Sequence, residues 1–281
     1  MRLRTDANPR PRQGCALEPL MTRRPIPLFA ALALFACGLQ AAQAGEAFAR
    51  RVIGFSPDGD TFAVEEFGRG DPGMGNLDLH SFITFLDTRT NQALDDSVEV
   101  TVKGGAETQL AAVRSLAAQA AAASLRAGKI GVQGRPIGAD ASSRAGEQIF
   151  YLDVWTVEKA SKTSLDVEAP ELGGKARLTL DYAAPASTGT DAEPSSETPP
   201  SFVLVLTKPD GTRLAATASL ADPWATDRGA FYKYAIAEAR LMPRPGKTPV
   251  IGVLVQTFTS GAEGPNRNFI PVAIEVPATT P

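Results

Sequence analysis

Residues 51–87 constrain the fold more than any other part of the chain, because they spell out three β-strands and the turns between them. Arg51-Val52-Ile53-Gly54-Phe55 is short and apolar. Ser56-Pro57-Asp58-Gly59-Asp60 follows as a turn, in which Pro57 presets φ and Gly59 can take a positive φ. Thr61-Phe62-Ala63-Val64-Glu65-Glu66-Phe67 then reads as a second strand, so the pair forms a hairpin. A glycine-rich loop over residues 68–76 leads to a third strand at 81–87. There Phe82, Thr84 and Leu86 share one face, while Ile83 and Phe85 share the other. A strand that is apolar on both faces belongs in the middle of a sheet.

The strand–SPDG–strand–loop–strand order resembles one blade of a β-propeller. A propeller needs at least about four such units in repeat. Only Lys208-Pro209-Asp210-Gly211, after the apolar stretch 202–206, repeats the turn. Further strands are expected at 98–102, 149–158, 176–182, 201–206, 213–219, 234–241, 248–258 and 269–276. A helix is expected over 107–127, where nine of 21 residues are alanine. Leu110, Val113, Ala117, Ala120 and Ser124 recur there at helical spacing, and Gly128 ends it. Residues 129–148 read as loop, with Gly131, Gly134, Pro136 and Gly138. Residues 184–200 are proline, serine, threonine and acid, which is a flexible insertion by composition. The expected fold is therefore mainly β: antiparallel sheets, sandwich-like or partly propeller-like, with one long α-helix near residues 107–127.

The N-terminus carries an address. Arg23 and Arg24 precede an apolar run at residues 28–36, and Ala42-Gln43-Ala44 offers small residues for cleavage. The uncharged stretch 25–39 is shorter than the ~18 residues a spanning helix needs. Residues 21–44 are thus expected to be a signal peptide, with Met21 as the start, residues 1–20 as an upstream extension and 45–281 as one secreted β-rich domain, interrupted by the flexible insertion 184–200, with no transmembrane segment. Two alternatives stand beside ordinary export. Leu34-Phe35-Ala36-Cys37 resembles a lipobox that would leave a lipidated Cys37, although Phe35 is bulky for it. Thr22-Arg23-Arg24 could open a twin-arginine signal, which Pro25 and Pro27 interrupt.

Removing residues 1–44 takes away both cysteines, Cys15 and Cys37. No disulfide, thiolate cluster or cysteine nucleophile is then expected. Of the 28 bases and 31 acids, 22 and 29 remain, a net charge of −7. An acidic surface argues against nucleic acid as a partner. The 43% hydrophobic content suits a packed globular domain.

Candidate chemistry is sparse. His80 is the only histidine, which excludes a multi-histidine zinc site within one chain and leaves any Ser-His-Asp triad to this residue. No GxSxG elbow supports such a triad. The loop Gly68-Arg69-Gly70-Asp71-Pro72-Gly73-Met74-Gly75 lacks the GKS/T ending of a phosphate cradle. Glu65, Glu66, Asp71, Asp78 and Asp87 form a local acidic group, but Glu65 and Glu66 are adjacent on a strand and point to opposite faces. Calcium needs more oxygens than Asp58-Gly59-Asp60 supplies. Gly261-Ala262-Glu263-Gly264-Pro265-Asn266-Arg267 is a second dense loop, across which Glu263 and Arg267 could pair. Arg69, Asp71, His80, Glu263 and Arg267 are the candidate ligand contacts, with no catalytic residue, cofactor or metal assigned.

Phe55-Ser56-Pro57-Asp58-Gly59, Phe62-Ala63 with Glu65-Glu66, residues 83–87, and residues 257–269 with Glu263-Gly264-Pro265 and Arg267 together resemble a bacterial family of predicted secreted proteins catalogued as a domain of unknown function. Ala262 stands where that family's pattern carries an aromatic. The resemblance implies export and a β-rich fold, and it carries no activity across. The reading is an exported, non-catalytic periplasmic binding or envelope-interaction protein, with an envelope protein or a small ligand as partner. The alternative is a hydrolase using paired carboxylates, drawn from Glu65 or Glu66 with Asp71 or Asp78. Expressed from Met21 in a bacterium, the protein is expected in the periplasm with an intact mass that begins at Gly45. A lipidated Cys37 in the membrane fraction would establish the lipoprotein alternative instead.

Overall fold

A strand can be apolar on both faces only where other layers cover both. The computed structural model describes residues 48–70, 78–103, 109–143, 151–182, 202–218, 231–260 and 265–277. Thirteen strands in these residues form three antiparallel sheets. The first holds β1 (Ala49–Phe55), β2 (Thr61–Arg69), β3 (Leu79–Asp87) and β4 (Gln92–Ala93) in that order, with β5 (Val98–Val102) also on β3. The central sheet runs β13 (Pro265–Glu275), β12 (Val250–Ser260), β11 (Phe231–Met242), β6 (Arg135–Ala139). The third runs β10 (Arg213–Ala218), β9 (Phe202–Thr207), β8 (Gly174–Tyr182), β7 (Ser164–Ala169).

Alternation along β12 shows how the layers meet. Ile251, Val253 and Val255 face the third sheet and pack with Leu178, Leu180, Phe202, Leu204 and Leu206. Leu254, with Phe269 and Ala273 of β13, faces the first sheet and meets Phe55, Phe62, Val64 and Leu86. Gly252 also lies on that side. A Cβ there would stand 2.7 Å from the Phe55 ring and 3.0 Å from the Phe62 ring. The two rings stack with centroids 4.5 Å apart, so the glycine lets a two-ring wedge reach the β12 backbone. The sheets therefore stack face to face, the sandwich-like arrangement of the two expected.

The SPDG turn forms as its residues dictate. Ser56 Oγ donates to Asp58 Oδ1 at 2.6 Å, and Thr61 N donates to Ser56 Oγ at 3.0 Å. Gly59 has φ 69° and sits against the Arg244 stem, where a Cβ would come within 2.6 Å of Cδ. Arg244 ties this turn to the central sheet, with Nη2 2.6 Å from Glu275 Oε1 and Nη1 3.4 Å from Asp60 Oδ1. Lys208-Pro209-Asp210-Gly211 builds the same turn, with Gly211 at φ 86° and Thr212 N 2.8 Å from Asp210 Oδ1.

Three expectations are corrected. The helix of 107–127 is two segments, α1 (Leu110–Ala120) and α2 (Ala122–Ala127). Its small buried residues Ala117 and Ala121 lie close on Ala63, Ile83 and Phe85. The stretch 149–158, rich in strand-forming residues, contains helix α3 (Tyr151–Ala160) instead of a strand. Val154 and Val157, three residues apart, pack on Ala235 and Phe258, so the helical spacing prevails over β propensity. The loop of 129–148 contains β6, paired with β11. Pro136 is tolerated because β6 is an edge strand, and Gly138 admits the Asp166 carbonyl, 2.8 Å from where a Cβ would stand. Strand β7 lies where no strand was expected. The insertion at 184–200 and the N-terminal segment 1–44 lie outside the described residues.

Gly252→Ala is expected to destabilise the domain by about 1–3 kcal/mol, because the added methyl meets two closely packed rings. Urea unfolding at 25 °C measures this. An unchanged midpoint would refute the wedge.

Candidate functional site

Strands β1, β2, β3 and β13 bring residues from both candidate loops to one end of the sheets. Phe48, just before β1, is the meeting point. Phe48 N donates to Arg267 O at 3.2 Å, and Gly68 has room for the Phe48 ring only because it lacks a Cβ, which would stand 3.0 Å from Cδ1. Arg267 is fully buried. Its Nε and Nη2 donate to Phe48 O at 3.1 and 2.6 Å, and its Nη1 to Ser143 O at 3.1 Å. The His80 ring lies edge-on to Phe48 at 5.9 Å and stacks on Phe82 at 5.6 Å. His80 Nδ1 is 2.9 Å from Thr101 Oγ1.

Of the five candidate contacts, the structure thus brings His80 and Arg267 to one residue, Phe48, His80 at its ring and Arg267 at its backbone. Arg69 ends β2 opposite Leu79 and, by alternation, lies on the other face of the first sheet. Asp71 and Glu263 lie outside the described residues, as does any pairing of Glu263 with Arg267.

A set of buried charges escaped sequence reading. Arg50 on β1 is 2% exposed and donates to Glu238 Oε2 on β11 at 3.0 Å, to Ser143 Oγ at 2.8 Å and to Ser143 O at 3.1 Å. Burial lowers its pKa from the ordinary value, and Glu238 opposes that shift. Arg240 Nε supplies Glu238 Oε1 at 3.0 Å. Arg50 and Arg267 both address the Phe269 ring, at 4.9 and 5.2 Å from its centroid. Glu66 Oε1 accepts from Phe269 N at 3.3 Å. Two guanidinium groups, two carboxylates and one ring therefore join the first sheet to the central one. The only sequence signal was strand alternation, which says that Arg50 points away from Arg51 but not what covers it.

Glu65 lies on the opposite face, under α1. It is fully buried, and its Oε1 accepts from Arg114 Nε at 2.8 Å and Ser81 Oγ at 3.2 Å. Its Oε2 accepts from Arg114 Nη2 at 2.9 Å and Arg51 Nε at 2.8 Å. Arg114 also stacks on Phe67 at 3.6 Å, and its hydrogen bonds to Glu65 raise its pKa. Both glutamates are thus acceptors in structural networks, on opposite faces of one sheet. Among the described residues, no group of three or more His, Cys, Asp or Glu is placed to hold a metal ion.

A groove of about 790 Å³ opens elsewhere, along β7, β8 and the turn after β9. Its polar lining includes two oppositely charged cross-strand positions, Asp166 opposite Arg177 and Glu168 opposite Lys175, with Lys208 at the turn. Asp166 Oδ1 is 2.7 Å from Arg177 Nε, which holds the carboxyl below its usual range.

The fold and these sites define an all-antiparallel, three-sheet β protein whose interior is braced by buried ion pairs. Residues 74–275 match the family described as predicted secreted protein (DUF2259), and the chain belongs to that family. No curated protein and no solved structure matches the chain. Among the described residues, no helix is long and apolar enough to cross a membrane.

Glu238→Leu is expected to cost about 3–5 kcal/mol, because it leaves Arg50 buried without its carboxylate. Arg50→Met added to it is expected to recover a large part of that loss, since the fully buried charge is then gone and Arg240, the other partner of Glu238, is partly exposed and still donates to Gln133 O. Chemical denaturation of the two single variants and the double variant tests the coupling.

Proposed function

We propose that the protein is a non-catalytic binding protein of the bacterial periplasm, which holds a component of the cell envelope in the groove along β7 and β8. The groove carries this reading. It is the right size for a small ligand or a short stretch of a larger one. Its lining sets Asp166 and Glu168 beside Lys175, Arg177 and Lys208, so it complements a partner that bears both signs of charge, as peptide-like envelope material does. The family description as predicted secreted proteins supports a site of action outside the cytoplasm. The buried glutamates support binding over hydrolysis, because Glu65 and Glu66 are already engaged by structural donors.

The test is co-sedimentation of the purified mature protein with isolated cell envelopes. The wild type is expected to sediment at low salt and to be released at about 0.5 M salt, where charge contacts are screened. The double variant Lys175→Glu, Lys208→Glu is expected to bind roughly tenfold more weakly with an unchanged unfolding midpoint. Equal sedimentation of variant and wild type would exclude the groove. Release of soluble glycan or peptide fragments by the wild type would favour the hydrolase instead.

A further inference from the structure

The two ends of the sandwich made by the central and third sheets are built differently. At the end nearest the SPDG turn, the rows of the central sheet that face the third sheet are aliphatic: Leu241–Ile251–Ile274, Ala239–Val253–Val272 and Ile236–Val255–Ile270. All nine side chains belong to the core between the two sheets. Asn91, in the turn between β3 and β4, pins this end from outside. It holds φ 56°, its Oδ1 accepts from Ala273 N at 2.6 Å, and its Nδ2 donates to Ala273 O at 2.9 Å and to Thr217 Oγ1 at 3.0 Å. One side chain thus ties β13 of the central sheet to β10 of the third.

At the other end the same face turns polar. Its last two rows are Tyr234–Thr257–Asn268 and Phe231–Thr259–Asn266, and alternation along β12 and β13 keeps them facing the third sheet. Thr257, Thr259 and Asn268 are each fully buried. The hydroxyls of Thr257 and Thr259, and both the amide nitrogen and the amide oxygen of Asn268, have no hydrogen-bond partner. Gln256 Oε1, on the opposite face of β12, is in the same state. Orphans of this kind are rare in folded proteins. Closure costs each of them its hydration without a bond in return, and any motion that admits water removes that cost. An aromatic cluster holds this end shut: the Tyr234 ring meets Tyr182, Phe202 and Phe231 at centroid distances of 5.0, 4.9 and 5.8 Å.

We propose that the sandwich is hinged: within the folded state, the central and third sheets part at the polar end as one unit, while the aliphatic rows pinned by Asn91 stay closed. The closed form leaves the polar atoms of Thr257, Thr259 and Asn268 without partners, and the open form gives them water. The aliphatic rows gain nothing by parting, because opening them only exposes apolar surface. The free energy of opening is therefore much smaller at one end of the face than at the other. The clasp is the cluster around Tyr234, so opening also presents Tyr182, Phe202 and Phe231, which the closed form hides or partly hides. The groove lies at the other end of β8, near Lys175 and Arg177, so the hinge and the groove are tested independently.

The experiment is thiol labelling of the mature protein under native conditions. No cysteine follows residue 45, so a single introduced thiol reports on one position. Thr259→Cys, Thr257→Cys and Val253→Cys each place that thiol at a fully buried position on the same face of β12. Thr259→Cys is expected to label at least about 100-fold faster than Val253→Cys, with a weaker dependence on urea, because parting one end exposes less surface than unfolding does. Thr257→Cys is expected to label within a factor of about three of Thr259→Cys, as one opening unit requires. Adding Thr257→Val to Thr259→Cys removes an orphan hydroxyl and is expected to slow labelling roughly tenfold. Equal rates and equal urea dependence at positions 253 and 259 would mean that only global unfolding reaches them, and would overturn the proposal. A stepwise fall from 259 to 257 to 253 would overturn it in favour of a fraying strand end. An unchanged rate on adding Thr257→Val would overturn it by separating the motion from the orphan atoms.

Discussion

Strand β12 is buried on both faces, and the arrangement of the other layers follows from that. Its odd-numbered residues from Ile251 to Val255 fill the core against the third sheet. Its even-numbered residues meet the first sheet and α3. A strand in this position must be apolar at both parities, and it must yield space wherever a large side chain crosses from a neighbouring layer. Gly252 does so for Phe55 and Phe62. The hairpin of β1 and β2 can dock only because β12 has a gap at that point, so the register between first and central sheets is set by one missing side chain.

Charge completes what shape begins. The first sheet touches the central sheet through aromatic and aliphatic groups at the end nearest the SPDG turn, and through Arg50, Glu66, Glu238 and Arg267 at the other. Buried ion pairs contribute little net stability, since desolvation offsets attraction, but they penalise any arrangement that leaves one partner alone. Arg50 finds Glu238 and Ser143, and Arg267 finds carbonyls of Phe48 and Ser143, only in this packing. The network therefore favours one way of stacking the sheets. It holds Glu66 and Arg267 as structural partners, and Glu65 is held in the same way on the opposite face of the first sheet by Arg114, Arg51 and Ser81.

Much of the architecture was legible in the order of residues. The hairpin at 51–67 was, because Pro57 and Gly59 define a turn and the flanking residues alternate or run apolar. The central place of β3 was, from Ile83 and Phe85 opposite Phe82 and Leu86. Helix α3 was not, because Trp155, Val154 and Tyr151 favour a strand locally and only the presence of Ala235 and Phe258 settles the matter. Strand β6 was not, because Pro136 and Gly138 argue against a strand except at an edge, and edge position is a property of the assembled sheet. Of the candidate site, the association of His80 with Arg267 depends on Phe48, and no local pattern links residues so far apart.

The sequence by itself determined the class of fold, the turns and the alternation that assigns each side chain to one face or the other, since these depend on neighbours along the chain. Arg50 and Arg51 show its limit. Alternation requires them to point apart, yet only the stacking of sheets makes one fully enclosed with Glu238 and leaves the other half exposed beside Glu65. The groove at β7 and β8, the buried ion pairs and the polar rows of Thr257, Thr259 and Asn268 were decided by tertiary structure. What covers a face, and whether a polar atom on it finds a partner there, depends on segments that meet only when the layers close.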